Sequence, residues 1–82
     1  MRYAVVIEKA PKNYSAYVPD LPGCISTGQS IGNTMDMLRE AIELHLEGMI
    51  IDGDPVPEAT TECAYVDVEL TKIEAQAAGA KS

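Results

Sequence analysis

His45 is the one histidine in the 82-residue chain, and acid–base or metal chemistry needs further groups placed around it. No second histidine and no cysteine stands at ligand spacing from it, and no serine or cysteine nucleophile is tied to it by sequence. We therefore read it as an ordinary helix histidine, at the surface or half-buried. Carboxylates are more numerous, with 13 Asp and Glu against 6 Lys and Arg and a formal net charge of −7. Two-metal nuclease chemistry would need such acids clustered on a central strand, a helix and a later strand. The apolar run Tyr3–Ile7 holds no acid, and Glu8 comes only at its end. Asp36, Glu40, Glu43 and Glu47 fall on what should be the solvated side of a helix, and Asp67 and Glu69 alternate with apolar residues. Gly23, Gly28 and Gly32 fit neither a dinucleotide nor a Walker loop. Cys24 and Cys63 are too few for a disulfide framework and read as small buried apolar residues in a reducing compartment. The residues point to binding, with no catalytic group and no cofactor or metal expected.

The charge says what could be bound. Six scattered basic residues cannot form the concentrated patch that nucleic acid requires. A surplus of acid suits a basic protein partner, or simply solubility. No apolar run is long enough for a signal-peptide core or a membrane span, so we expect a cytoplasmic protein with no membrane contact.

These residues need elements to hold them. Tyr3–Ile7 is β-branched on both faces and predicts a strand buried on two sides, central in its sheet. Pro11-Lys12-Asn13 is a turn signal and Tyr14–Val18 a second strand, giving a hairpin. Pro19-Asp20-Leu21-Pro22-Gly23 breaks regular structure, and Cys24–Thr27 predicts a short third strand. Ser30 is a good N-cap for a helix over 31–51, about 30 Å long, closed by Gly53 and the prolines Pro55 and Pro57. Ile31, Met35, Leu38, Ile42, Leu46 and Met49 share one face of that helix, which should be the core face. A second row, Met37, Ala41, Leu44 and Ile51, lies beside it and suggests a surface for self-association or for a partner. Ala64–Leu70 alternates, with Ala64, Val66, Val68 and Leu70 inward and Tyr65, Asp67 and Glu69 outward, and predicts a fourth strand. The order β-β-β-α-β with a right-handed crossover gives an α/β (α+β) two-layer sandwich, one helix on a four-stranded mixed sheet. We expect a single domain over 1–70 and a flexible tail, frayed helix or disorder, over 71–82.

Taken together, several segments resemble the HicB family of antitoxins. They are Tyr3-Ala4-Val5-Val6-Ile7-Glu8, then Tyr14-Ser15-Ala16-Tyr17-Val18-Pro19-Asp20-Leu21-Pro22-Gly23-Cys24, and Thr27-Gly28-Gln29-Ser30. The helix core Arg39-Glu40-Ala41-Ile42-Glu43-Leu44-His45-Leu46-Glu47 and the stop Gly53-Asp54-Pro55-Val56-Pro57-Glu58 complete the pattern, which covers about residues 1–70. The resemblance implies a partial ribonuclease H-like domain without nuclease activity. It implies as partner a HicA-like toxin, a small basic mRNA interferase with a catalytic histidine. Two features depart from the family: the helix opens Ile31-Gly32-Asn33-Thr34-Met35 instead of on a Glu-Glu-Ala type, and only twelve residues follow Leu70, too few for a C-terminal DNA-binding module.

The expected function is thus binding and neutralisation of such a toxin, by a homodimer or higher oligomer that does not bind DNA by itself. The alternatives are a residual metal-dependent nuclease of ribonuclease H-like fold and a solitary small regulatory or ligand-binding domain. Candidate partner contacts are Asp20, Leu21, Met37, Leu44, Asp67 and Glu69.

Overall fold

A computed structural model describes residues 1–80. Three strands, β1 (Val6–Lys9), β2 (Tyr14–Tyr17) and β3 (Ile25–Gly28), are followed by two helices, α1 (Ile31–Ile51) and α2 (Leu70–Ala80). The sheet runs in the order β1-β2-β3 and both pairings are antiparallel. Across the hairpin Val6 faces Tyr17 and Lys9 faces Tyr14, whose ring the Lys9 ammonium approaches at 6.0 Å. The turn is closed by the Ala10 amide, which donates to the Asn13 carbonyl at 2.9 Å.

The Pro19–Gly23 segment sets the geometry between β2 and β3. The Leu21 amide donates to the Val18 carbonyl (3.0 Å), the Cys24 amide to Leu21 (3.1 Å) and the Val18 amide to Cys24 (3.2 Å). Gly23 takes φ +84°, a conformation that costs an L side chain about 1 kcal/mol or more. This compact loop drives Leu21 fully into the core beside Ala16, Val18, Cys24 and Leu38. Close approach is what Gly28 supplies: a Cβ there would stand 2.6 Å from Asn33 Oδ1 and 2.9 Å from the Thr34 amide.

Helix α1 begins as its sequence dictates. The Ser30 hydroxyl accepts from the Asn33 amide at 3.0 Å, and the buried Thr34 hydroxyl donates back to the Ser30 carbonyl at 2.7 Å. Ser26 Oγ donates to the Thr34 carbonyl at 2.9 Å, tying β3 to the first turn. The helix closes at Asp52, whose amide donates to Gly48, and Gly53 follows at φ +77°. It packs on one face of the sheet through Leu38, with Ala41, Ile42 and Leu46 partly buried at the same core. The cross-strand row Val6, Tyr17 and Ile25 lies on the other sheet face, with Tyr17 and Ile25 exposed and Val6 half-buried.

Several expectations need correction. β1 is an edge strand, not a central one, and Ile7 is 38% exposed, because β2 takes the middle of a meander. The sheet has three antiparallel strands instead of four mixed ones. Residues 54–69 contain no strand, so the alternation over Ala64–Leu70 is present without strand pairing. Tyr65 is 98% exposed and Val66 84%. The helix face is turned slightly from expectation: Ile31 and Met35 are exposed and the buried line starts from Thr34, while Ala41 belongs to the core. Cys63 is exposed, whereas Cys24 is buried. Within the stretch read as frayed helix or disorder, residues 71–80 are helical with no residue buried; positions 81–82 lie outside the described residues.

The outcome is an elongated molecule, 63 × 29 × 18 Å, with a radius of gyration of 18.5 Å. A compact chain of this length would have about 12 Å. Residues 64–80 form the projecting arm.

Candidate partner-binding surface

Helical spacing and packing together decide which side chains of α1 remain available. Turning about the axis at 3.6 residues per turn puts Met37, Glu40, Leu44, Glu47 and Ile51 on one ridge, each three or four residues from the next. Because α1 buries Thr34 and Leu38 against the sheet, this ridge flanks the core line and stays open. Met37 is 48% exposed, Leu44 69% and Ile51 75%. Apolar groups alternate there with two carboxylates over a length of about 21 Å at 1.5 Å per residue. Such a ridge combines an apolar contact with negative charge, the pairing that a basic protein surface complements.

The remaining candidates separate. Leu21 is fully buried and packs in the core. Asp20 holds the chain after the helix: its Oδ2 accepts from the Thr60 and Thr61 amides, both at 3.0 Å, and its Oδ1 from their hydroxyls at 3.1 and 2.8 Å. Donation from the Thr61 amide, then from its hydroxyl, holds the Asp20 carboxyl below the ordinary aspartate value. With Tyr3, whose hydroxyl donates to the Pro57 carbonyl at 2.6 Å, this clamp fixes residues 57–61 beside the start of β1. No local sequence signal announces it, since its partners lie 40 and 41 residues apart. Asp67 and Glu69 are exposed on the arm, remote in character from Asp20 and from the helix ridge. Met37 and Leu44 are therefore the two candidates that the structure brings together.

His45 is half-buried in α1. Among the described residues no three His, Cys, Asp or Glu side chains gather as they would to hold a metal ion. No described helix is long and apolar enough to cross a membrane.

A groove that sequence reasoning missed opens between α1 and the chain leading into β1. It encloses about 530 Å³ and is lined by Tyr3, Val5, Met35, Leu38, Ile42 and Leu46 among others. It lies on the opposite flank of α1 from the Met37–Ile51 ridge.

Over residues 3–76 the sequence matches the family described as HicB-like antitoxin of bacterial toxin-antitoxin system. The chain belongs to that family. Relatives of the HicB-like chain include a 14.9 kDa protein from the rep-hol intergenic region of Haemophilus phage HP1, 37% identical over 67 residues. That alignment takes in 82% of this chain but 50% of the phage protein, so the chain spans about half the length of that relative. A UPF0150 protein of Archaeoglobus fulgidus is 46% identical over 48 residues, covering 57% of this chain and 70% of its own. One from Thermoplasma acidophilum is 30% identical over 63 residues, 76% of this chain and 91% of its own. Among solved structures, a chain of the HicA3 and HicB3 toxin-antitoxin complex superposes with a TM-score of 0.62 at 27% identity, over 73% of this chain and 70% of that one. The HicB-like antitoxin has a mixed α and β fold, three antiparallel strands and two helices.

Proposed function

We propose that this HicB-like chain is a non-enzymatic, cytoplasmic antitoxin that binds a basic HicA-like mRNA interferase and neutralises it. The observation that carries this is the open ridge Met37–Glu40–Leu44–Glu47–Ile51 on a chain of net charge −7. The likeness to a chain of a toxin-antitoxin complex supports the same reading. Docking on the ridge would cover the toxin's basic surface, and so keep RNA away without any chemistry by the antitoxin. We read the assembly as a homodimer or higher oligomer of a partial ribonuclease H-like domain over 1–70. The surplus of negative charge repels phosphate, so the chain by itself should not bind operator DNA.

The test is association kinetics between the purified chain and a small basic HicA-like protein. Exposed charges steer encounter and are screened beyond about 8–10 Å at physiological ionic strength. The association rate should fall as salt rises, and Leu44→Asp should weaken the complex by tenfold or more. A salt-independent rate with Leu44→Asp as tight as the parent would refute the ridge as the docking site.

A further inference from the structure

We propose that the arm, residues 64–80, is donated to a second copy of the chain. There it adds a fourth strand to the free edge of β1 and seats Val66, Val68 and Leu70 in the groove against α1. This inference is independent of the toxin.

The arm carries the pattern of a buried strand in a place where nothing buries it. Val66, Val68, Leu70 and Ile73 are between 50% and 84% exposed, large apolar side chains that the single chain leaves in water. Helix α2 has eleven residues and no buried side chain, and helices below about 12–15 residues are marginal in water without packing. The complement to this strip is present on the same chain. Among the described residues β1 pairs only with β2, so its outer edge offers free backbone donors and acceptors. Next to the segment that leads into that edge lies the groove of about 530 Å³, lined by Tyr3, Val5, Met35, Ile42 and Leu46, with Arg39 and Glu43 also at it. A strand added there would direct alternate side chains into it, because strand residues alternate between faces.

The path of the chain argues for a second copy as occupant. Residues 57–61 are clamped by Asp20 and Tyr3, and Cys63 Sγ still lies 4.0 Å from the Val5 carbonyl. From residue 64 the chain projects away from its own sheet and α1, giving the 63 Å length. An arm and its receptor edge on one chain form a self-complementary pair, and reciprocal exchange between two copies closes with two-fold symmetry. Each copy would then complete the other's sheet.

Light scattering on the full chain at tens of micromolar should give twice the 8.8 kDa chain mass. The double variant Val66→Asp, Val68→Asp should be monomeric with unchanged far-ultraviolet dichroism and a cooperative melt, since both residues are exposed in the single chain. Met37→Asp with Leu44→Asp should leave the mass doubled. In a Cys63→Ser background, Met35→Cys with Val68→Cys should oxidise to a covalent dimer. A monomeric parent, a dimer that survives Val66→Asp with Val68→Asp, or a cross-link formed within one chain would each overturn the proposal.

Discussion

Leu38 is the residue through which α1 meets the sheet, and truncating it measures how much of the fold rests on that contact. It is fully buried, and its neighbours in the core are Ala16, Val18, Leu21 and Cys24. Leu→Ala in a core costs about 2–5 kcal/mol, the transfer of the lost methyl groups plus the cavity left behind. Leu38 also borders the open groove, so part of the space can be refilled by Met35 and Ile42 moving inward. That places the cost near the middle of the range, about 3 kcal/mol. Native domains have a total of about 5–15 kcal/mol, so this is a large fraction. For a domain of this size, each kcal/mol lowers Tm by about 4–8 °C, which gives a fall of about 12–24 °C. Leu44, equally apolar and six residues on, is 69% exposed, and Leu44→Ala should change stability by no more than about 0.5 kcal/mol. Thermal and urea unfolding of both variants at one fixed protein concentration is the assay, because association would make Tm concentration-dependent. Equal stability of the two variants would show that the helix face is assigned wrongly.

Gly28→Ala should destabilise by about 1–3 kcal/mol, since its Cβ would meet Asn33 Oδ1, Thr34 Oγ1 and the Thr34 amide inside 3.0 Å. Gly32→Ala meets nothing within 4 Å in a helical position and should stabilise by up to about 1 kcal/mol; urea midpoints decide both. The folded Asp20 carboxyl titrates below its ordinary value of 3.8, so its contribution is complete above that pH and is lost as pH falls through the lowered folded value. Asp20→Asn should accordingly speed amide exchange at Thr60 and Thr61 at neutral pH, and unchanged protection would contradict the clamp. The purified chain should leave RNA intact with Mg²⁺ or Mn²⁺ and should not retard promoter DNA in low salt; cleavage lost on Asp67→Asn, or sequence-specific retardation, would refute these expectations.

What the sequence made legible were features set by local chemistry. Ser30 as N-cap, the extent of α1, Gly53 after it and the hairpin around Pro11–Asn13 all follow from neighbours within a few residues. The position of β1 did not, because Tyr3–Ile7 is equally apolar whether a strand flanks it on one side or on both. The same holds for Ala64–Leu70: alternation reports that a segment suits a half-buried edge, but not which edge, nor on which copy of the chain. The helix row containing Met37 and Leu44 was visible as surplus apolar surface, yet Ala41 beside them turned inward, a rotation that only packing fixes. Asp20 and Leu21 stood out as loop residues, while their roles as clamp and core plug depend on partners far along the chain.

The claim that this chain is an antitoxin is tested most directly by RNA cleavage. A basic HicA-like protein is incubated with messenger RNA, with and without an equimolar amount of this chain. The account predicts cleavage by the basic protein alone, protection by the parent chain, and protection lost with Met37→Asp and Leu44→Asp while the dichroism spectrum is unchanged. RNA cut equally fast in the presence and absence of the parent chain would contradict it.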